Sequence, residues 1–198
     1  MYGRGAAALA REINKVVEDP VTVETTQSII DSLAKSFPVA WKWLVDNAEK
    51  AVTDEYLETL FGRCRYFQGI SQMPSWDQAA AKREAKNSPI QGTVADLLAQ
   101  SGVQLSRLLR RPGMRDKLDV RILLPIHDAF LFEVKVEHLR AAIPAMKLCM
   151  ADRNCLPGTD KHLEIDIEIF PRSWGDKAYH VNEIDQFYEK IGLANPAA

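Results

Sequence analysis

Apolar positions recur along this chain at two different periods, and the places where one period gives way to the other set the expected elements. From Ala6 to Val17, Leu9, Ile13 and Val16-Val17 are spaced to bury one face of a helix. Asp19-Pro20 ends it, because the residue before a proline is pushed out of the helical region. A second helix is expected from about Thr22, carrying Ile29, Ile30, Leu33 and Phe37 up to Pro38. A third, from about Ala40 to Val52, presents Trp41, Leu44, Val45 and Ala48 on one side. Further on, Ser88-Pro89-Ile90-Gln91 reads as a helix start, with Ser88 as N-cap, Pro89 in the first helical position and Gln91 closing a capping box. From there Ile90, Val94, Leu97, Leu98, Ser101, Leu105, Leu108 and Leu109 keep helical spacing until Pro112-Gly113 stops the run. Gly92, Ala95, Ala99 and Gly102 leave room for a neighbour to come close. His138 to Met150 is another amphipathic helix, with Pro144 a kink or a break.

Between these helices the period drops to two. Tyr56 to Phe67 alternates around Gly62-Arg63, which suggests two short strands and a turn, although a glycine in a strand equally marks a bulge. Gln68 to Gln78 reads as loop. In Val120 to Val136, two β-prone runs flank His127-Asp128, and Phe130, Phe132, Val134 and Val136 alternate with Leu131, Glu133 and Lys135. That is strand, tight turn, strand. Asn154 to Lys161 is a loop. Leu163 to Ile169 alternates strictly, a half-buried strand whose acids Glu164, Asp166 and Glu168 share one face; a solvated sheet face is favoured there over a metal site. After Val181 come one short helical stretch and a loose Ala-Asn-Pro-Ala-Ala end. Long helices with a few locally paired strands, and no regular βαβ alternation, make the fold class α+β.

Composition adds limits. The 198 residues suit one large domain or one and a half small ones, and 46% hydrophobic residues can bury a real core. No run of eighteen apolar residues exists, and Met1-Tyr2-Gly3-Arg4-Gly5 is not followed by a signal-peptide core, so a soluble, cytoplasmic protein without membrane contact is expected. Cys64, Cys149 and Cys155 fit no zinc or redox spacing and read as reduced thiols. A formal net charge of −2 creates no whole-molecule field for nucleic acid, so any such contact must be local. The densest basic patch is Arg107, Arg110, Arg111, Arg115 and Lys117, either a phosphate-binding edge or a solvated helix end. Asp128, between two greasy runs, is costly to desolvate unless it is hydrogen-bonded, paired or bound to a cation. It equally suits the turn conformation itself.

Four segments in order carry a family resemblance. Glu58-Thr59-Leu60-Phe61-Gly62-Arg63-Cys64-Arg65-Tyr66, Arg83 to Asp96 (with Arg83, Asn87, Pro89, Gln91, Gly92, Thr93, Ala95 and Asp96 at the family spacing), Ile126-His127-Asp128-Ala129-Phe130-Leu131-Phe132-Glu133-Val134, and Trp174 to Ala178 are similar to segments of family A DNA polymerases, the bacterial DNA polymerase I type. Tyr2-Gly3, followed by Ala7, Leu9, Ala10 and Arg11, resembles the end of the family's fingers motif.

The resemblance implies long helices packed on a small antiparallel palm sheet, with a central β-hairpin carrying His127 and Asp128. It places residues 1–180 in a partial polymerase domain, about 1–80 derived from the fingers and about 81–180 from the palm, with 181–198 as a C-terminal tail. It implies Asp128 as a ligand of Mg²⁺ in a two-metal site and His127 as a positioning residue near the primer end. Ala129 stands where most members have Glu. Arg83, Asn87 and Gln91 are implied to touch the minor-groove side of primer–template DNA, and Tyr2 to stack near the templating base. A dNTP is the second substrate.

Nucleotidyl transfer needs two cations a few ångströms apart, and no motif here matches the family's other catalytic Asp or its triphosphate-binding Arg and Lys. The expectation is therefore a C-terminal part of a polymerase domain that needs an N-terminal polymerase segment in trans. The rival from another class is a non-catalytic remnant or accessory subunit that binds DNA or a partner. A metal-dependent phosphohydrolase built on His-Asp is a weaker third, because the flanks are strand-like and the chain has only four histidines.

Overall fold

The computed structural model describes residues 5–192, and it divides the chain into two compact units, residues 1–93 and 94–198. The α+β class holds: seven α-helices and three separate two-stranded antiparallel ladders are found among the described residues.

In the first unit, α1 (Ala6–Ile13) and α2 (Val23–Ser36) pack through small side chains, Ala6, Ala10 and Thr26. Helix α1 stops earlier than its apolar pattern suggests, and Val16 is 84% exposed. The cause is Asn14, whose amide donates to the Val21 carbonyl at 3.1 Å while its oxygen accepts from the Val21 N–H at 2.7 Å. Thr22 then caps α2, accepting from the Thr25 N–H at 3.1 Å. Phe37, held out of the helical region by Pro38, separates α2 from α3 (Pro38–Thr53). β1 (Tyr56–Glu58) and β2 (Cys64–Tyr66) pair antiparallel, and Gly62, at φ 80°, makes the turn rather than a bulge. Ala51, Leu57, Phe67, Ile70 and Ala85 form this unit's core.

Two expectations fail together after Ile70. The stretch read as loop to Gln78 contains a short 3₁₀ turn at Ile70–Gln72 and then the start of α4, which runs unbroken from Ser75 to Leu109. Ser88-Pro89-Ile90-Gln91 is therefore mid-helix, not a capped start. Ala79-Ala80-Ala81 and Lys82 to Lys86 are strong helix formers, and Asp77 in the first turn complements the helix dipole, so propensity upstream outweighs one proline. Gln91 consequently has no capping-box partner in Ser88.

In the second unit, α5 (Met114–Leu118) follows Gly113, whose φ of 74° turns the chain. β3 (Val120–Ile126) pairs with β4 (Ala129–Val134), and a short turn leads to α6 (Leu139–Lys147), which keeps Pro144 inside it and continues into one wide π-type turn, Leu148–Asp152. Leu105, Leu118, Val120, Ala142, Met146 and Cys149 form one core cluster. A side chain as fully buried as Leu105 contributes roughly 1.5–3 kcal/mol. Burial pushes the Cys149 thiol up from its ordinary pKa, which keeps it protonated and inert.

The strand expected over 163–169 shrinks to β5 (Glu168–Ile169), paired with β6 (Tyr179–His180). Burial still alternates from Glu164 to Ile169, but residues 163–167 have no strand partner among the described residues. Helix α7 (Ile184–Ile191) buries Ile184, Phe187 and Tyr188 against Leu139, Ile143 and Ile169. The Tyr188 hydroxyl donates to the Val136 carbonyl at 2.7 Å. Residues 181–192 are thus part of this core, while the Ala-Asn-Pro-Ala-Ala end lies outside the described residues. No described helix is long and apolar enough to cross a membrane.

A mid-helix proline has a measurable signature. Pro89→Ala restores an N–H for the Ala85 carbonyl one turn back and should stabilise the chain by about 1–3 kcal/mol in urea unfolding. An unchanged midpoint would return Pro89 to the first position of a separate helix.

Candidate nucleic-acid interface and the His-Asp turn

Because α4 is continuous, Arg83, Asn87 and Gln91 fall four residues apart on one side of one helix. All three belong to the first unit. Arg83 and Gln91 are exposed, Asn87 is 9% exposed, and none of their side chains has a hydrogen-bond or ion-pair partner among the described residues. Long polar donors held ready on a rigid stripe can meet acceptors on a ligand.

The same stretch of α4 is tied to the β1–β2 turn by residues whose role no local sequence pattern discloses. The Thr93 hydroxyl donates to the Pro89 carbonyl at 2.8 Å and accepts the Leu60 N–H at 3.0 Å. Arg63 donates to the Gly92 carbonyl at 2.9 Å. The Thr59 hydroxyl accepts from the N–H groups of Phe61 and Arg63, each at 3.2 Å, which closes the turn. A Cβ on Gly92 would lie 2.5 Å from Thr59 Cγ2, so only glycine permits this approach. A cleft of about 170 Å³ remains beside these contacts, with Thr59, Arg63, Ser88 and Gln91 in its walls.

In the second unit, the pairing of Ile126 with Ala129 leaves His127 and Asp128 as the two turn residues, both exposed. His127 has φ 53°, a left-handed conformation that costs a non-glycine residue about 1–2 kcal/mol. Asp128 is not desolvated, so the penalty anticipated from its apolar flanks does not arise.

The ladder below the turn is irregular in an informative way. Register shifts between Ile122 and Leu124, so Leu123 is an inserted bulge residue, 49% exposed. The bulge sets Val120, Ile122 and Pro125 opposite Val134, Phe132 and Phe130 on one face. Phe130 reaches α4 at Gly102, where an added Cβ would sit 3.0 Å from the ring. Pro125 is tolerated because β3 pairs on one side only among the described residues, and an edge strand accepts a residue without an N–H.

Among the described residues no group of three His, Cys, Asp or Glu side chains is placed to hold a metal ion. Asp128 offers one carboxylate, and the described residues do not by themselves fit a two-metal centre. Glu164, Asp166 and Glu168 are exposed. Tyr2 lies outside the described residues.

Helices with small antiparallel ladders define an α+β protein. Comparison with known proteins identifies the lineage. The family model "DNA polymerase family A" matches residues 1–176, and the chain belongs to that family. The thermostable DNA polymerase I of Thermus filiformis is 30% identical over 174 residues, 88% of this chain and 19% of that protein. The DNA polymerase I of Mycobacterium leprae is 30% identical over 181 residues, 90% of this chain and 18% of that protein. The chain thus spans about a fifth of the length of these curated relatives. Among solved structures, the POL domain of Pol1 from M. smegmatis, in complex with DNA primer-template and dNTP, superposes with TM-score 0.69 at 27% identity, covering 82% of this chain and 26% of that one.

The left-handed turn residue allows a direct check. His127→Val should lower stability by about 1–2 kcal/mol, since a β-branched residue is poorest at positive φ, while His127→Asn stays within about 0.5 kcal/mol. Equal melting temperatures for the two variants would mean that the turn is not left-handed at this position.

Proposed function

We propose that this chain serves template-directed nucleotidyl transfer to a primer 3′ end, as part of a DNA-directed DNA polymerase. The observation that carries the reading is a family A match that includes the exposed His127-Asp128 turn. Primer–template DNA and a dNTP are the substrates, in keeping with the ligands of the similar M. smegmatis structure. On this reading residues to about 80 derive from the fingers and 81–180 from the palm, in a cytoplasmic enzyme.

Arg83, Asn87 and Gln91 are assigned to the minor-groove side of the primer–template. Minor-groove acceptors occupy similar positions for every correct base pair, so donors there sense pairing without reading sequence. Asp128 is assigned as one Mg²⁺ ligand and His127 as a positioning residue at the primer end. Magnesium is commonly held by one or two carboxylates plus substrate phosphates. The second carboxylate is assigned to an N-terminal polymerase segment acting in trans. Ala129, where most members have Glu, favours one alternative, a DNA- or partner-binding subunit without chemistry.

Primer extension in Mg²⁺, with the N-terminal polymerase segment of a family A relative supplied in trans, tests the assignment of Asp128. Asp128→Asn should melt with the parent, because the carboxylate is already solvated, yet lose extension, because a neutral amide is a poor magnesium ligand. Full activity in Asp128→Asn would sink the catalytic role. Extension by neither protein would favour the binding-subunit reading.

Arg83→Ala and Gln91→Ala should each weaken primer–template binding by about 1–3 kcal/mol, measured by fluorescence anisotropy. Unchanged affinity for both would reduce the stripe to plain helix surface.

A further inference from the structure

The basic patch between the end of α4 and β3 has no part in the function proposed above, although it borders a cleft of the second unit. That cleft measures about 590 Å³, within the range of small-ligand sites. Its walls come from the C-terminal end of α4, from α5 and from the base of the β3–β4 ladder, far along the strands from the His127-Asp128 turn. Arg110, Arg115, Arg121 and Lys135 line it against two carboxylates, Asp116 and Asp119.

The four cations are not equivalent. Lys135 is paired with Asp119 at 2.9 Å, and Arg121 lies 3.5 Å from Glu133 across the ladder. Arg110 and Arg115 have no ion pair among the described residues. The Arg111-Pro112-Gly113 turn, with Gly113 at φ 74°, brings Arg110, just past the end of α4, and Arg115, on α5, into one cleft. Asp119 is locked at the rim by its own left-handed backbone, φ 37°. The Lys135 ammonium that hydrogen-bonds it, with Arg121 and His138 nearby, holds its carboxyl below the ordinary range. Two unpaired guanidinium forks in a concave wall, with Ser106 beside them, suit the oxygens of a phosphate.

We propose that this cleft binds a compact phosphate anion through Arg110 and Arg115. The phosphate has two available sources, a free anion of the pyrophosphate kind or a phosphate of a nucleic-acid backbone. The concave shape and the pairing of only two free forks favour the free anion.

The test is titration calorimetry of the full chain with inorganic pyrophosphate, with a short oligothymidylate as competitor. Binding is expected to fall at least tenfold in Arg110→Ala and in Arg115→Ala, and to stay unchanged in Arg107→Ala, whose side chain is outside the cleft. Asp119→Asn should bind several-fold tighter, because it removes a carboxylate and frees Lys135, and asparagine keeps the left-handed backbone. That gain cannot come from a folding defect. Pyrophosphate binding that the oligothymidylate does not displace assigns the site to a free anion. Displacement with the same arginine dependence keeps the phosphate site and moves its source to nucleic acid. The proposal fails if pyrophosphate does not bind, or if Arg110→Ala and Arg115→Ala, still folded by circular dichroism, bind like the parent. Neither failure bears on Asp128, whose role is read by primer extension.

Discussion

A proline inside a helix forfeits one N–H and crowds the preceding turn, a cost of about 3 kcal/mol that something nearby must offset. In the first unit that something is a set of contacts one turn later. Thr93 returns a hydroxyl to the Pro89 carbonyl and holds the Leu60 N–H, while Arg63 grips the Gly92 carbonyl. Glycine at 92 lets Thr59 close to within contact. The helix therefore continues where its sequence invites a stop. Continuity matters because Arg83 and Asn87 precede the proline and Gln91 follows it. Were the helix to start at Ser88, the three side chains would share no face.

The second unit handles its own awkward residues by a different device. A seven-residue strand containing a proline should mispair with a regular six-residue partner. Inserting Leu123 as a bulge corrects the phase, keeps Pro125 opposite Phe130 and lets both aromatic rings of β4 face the helices. Gly102 then accommodates Phe130, so a small residue on α4 and a bulge on β3 together fix where the turn is held. The left-handed His127 is the residual strain at the tip.

These two devices mark what the sequence could and could not disclose. Apolar periodicity located every long helix and the central hairpin, since burying one apolar face is the dominant drive to fold and is written directly in residue type. It misplaced the start of α4 by thirteen residues, from Ser88 to Ser75, because one proline was weighed above a run of alanines and lysines. It overextended the strand at 163–169, because alternation reports burial on one side and not whether a partner strand exists to pair with. Candidate site residues were legible only through motif resemblance. Their spacing on one helix face became visible when α4 proved continuous. Thr93 and Arg63 were missed as structural ties because hydrogen bonds between segments about thirty residues apart leave no local pattern.

Exposure of Asp128 bears on how such a site would work. A carboxylate kept in water costs the folded chain nothing, whereas two acids buried together would repel and demand a cation for stability. Asp128 therefore places no demand for metal on folding, and on the proposed function the magnesium site is completed by ligands that arrive with the substrates or with another segment. A one-carboxylate site of this kind binds weakly alone and strongly only when phosphates complete the coordination. On the proposed function, metal occupancy is then tied to substrate occupancy. Ala129 reinforces that dependence, because the residue next to Asp128 adds no second acid to the turn.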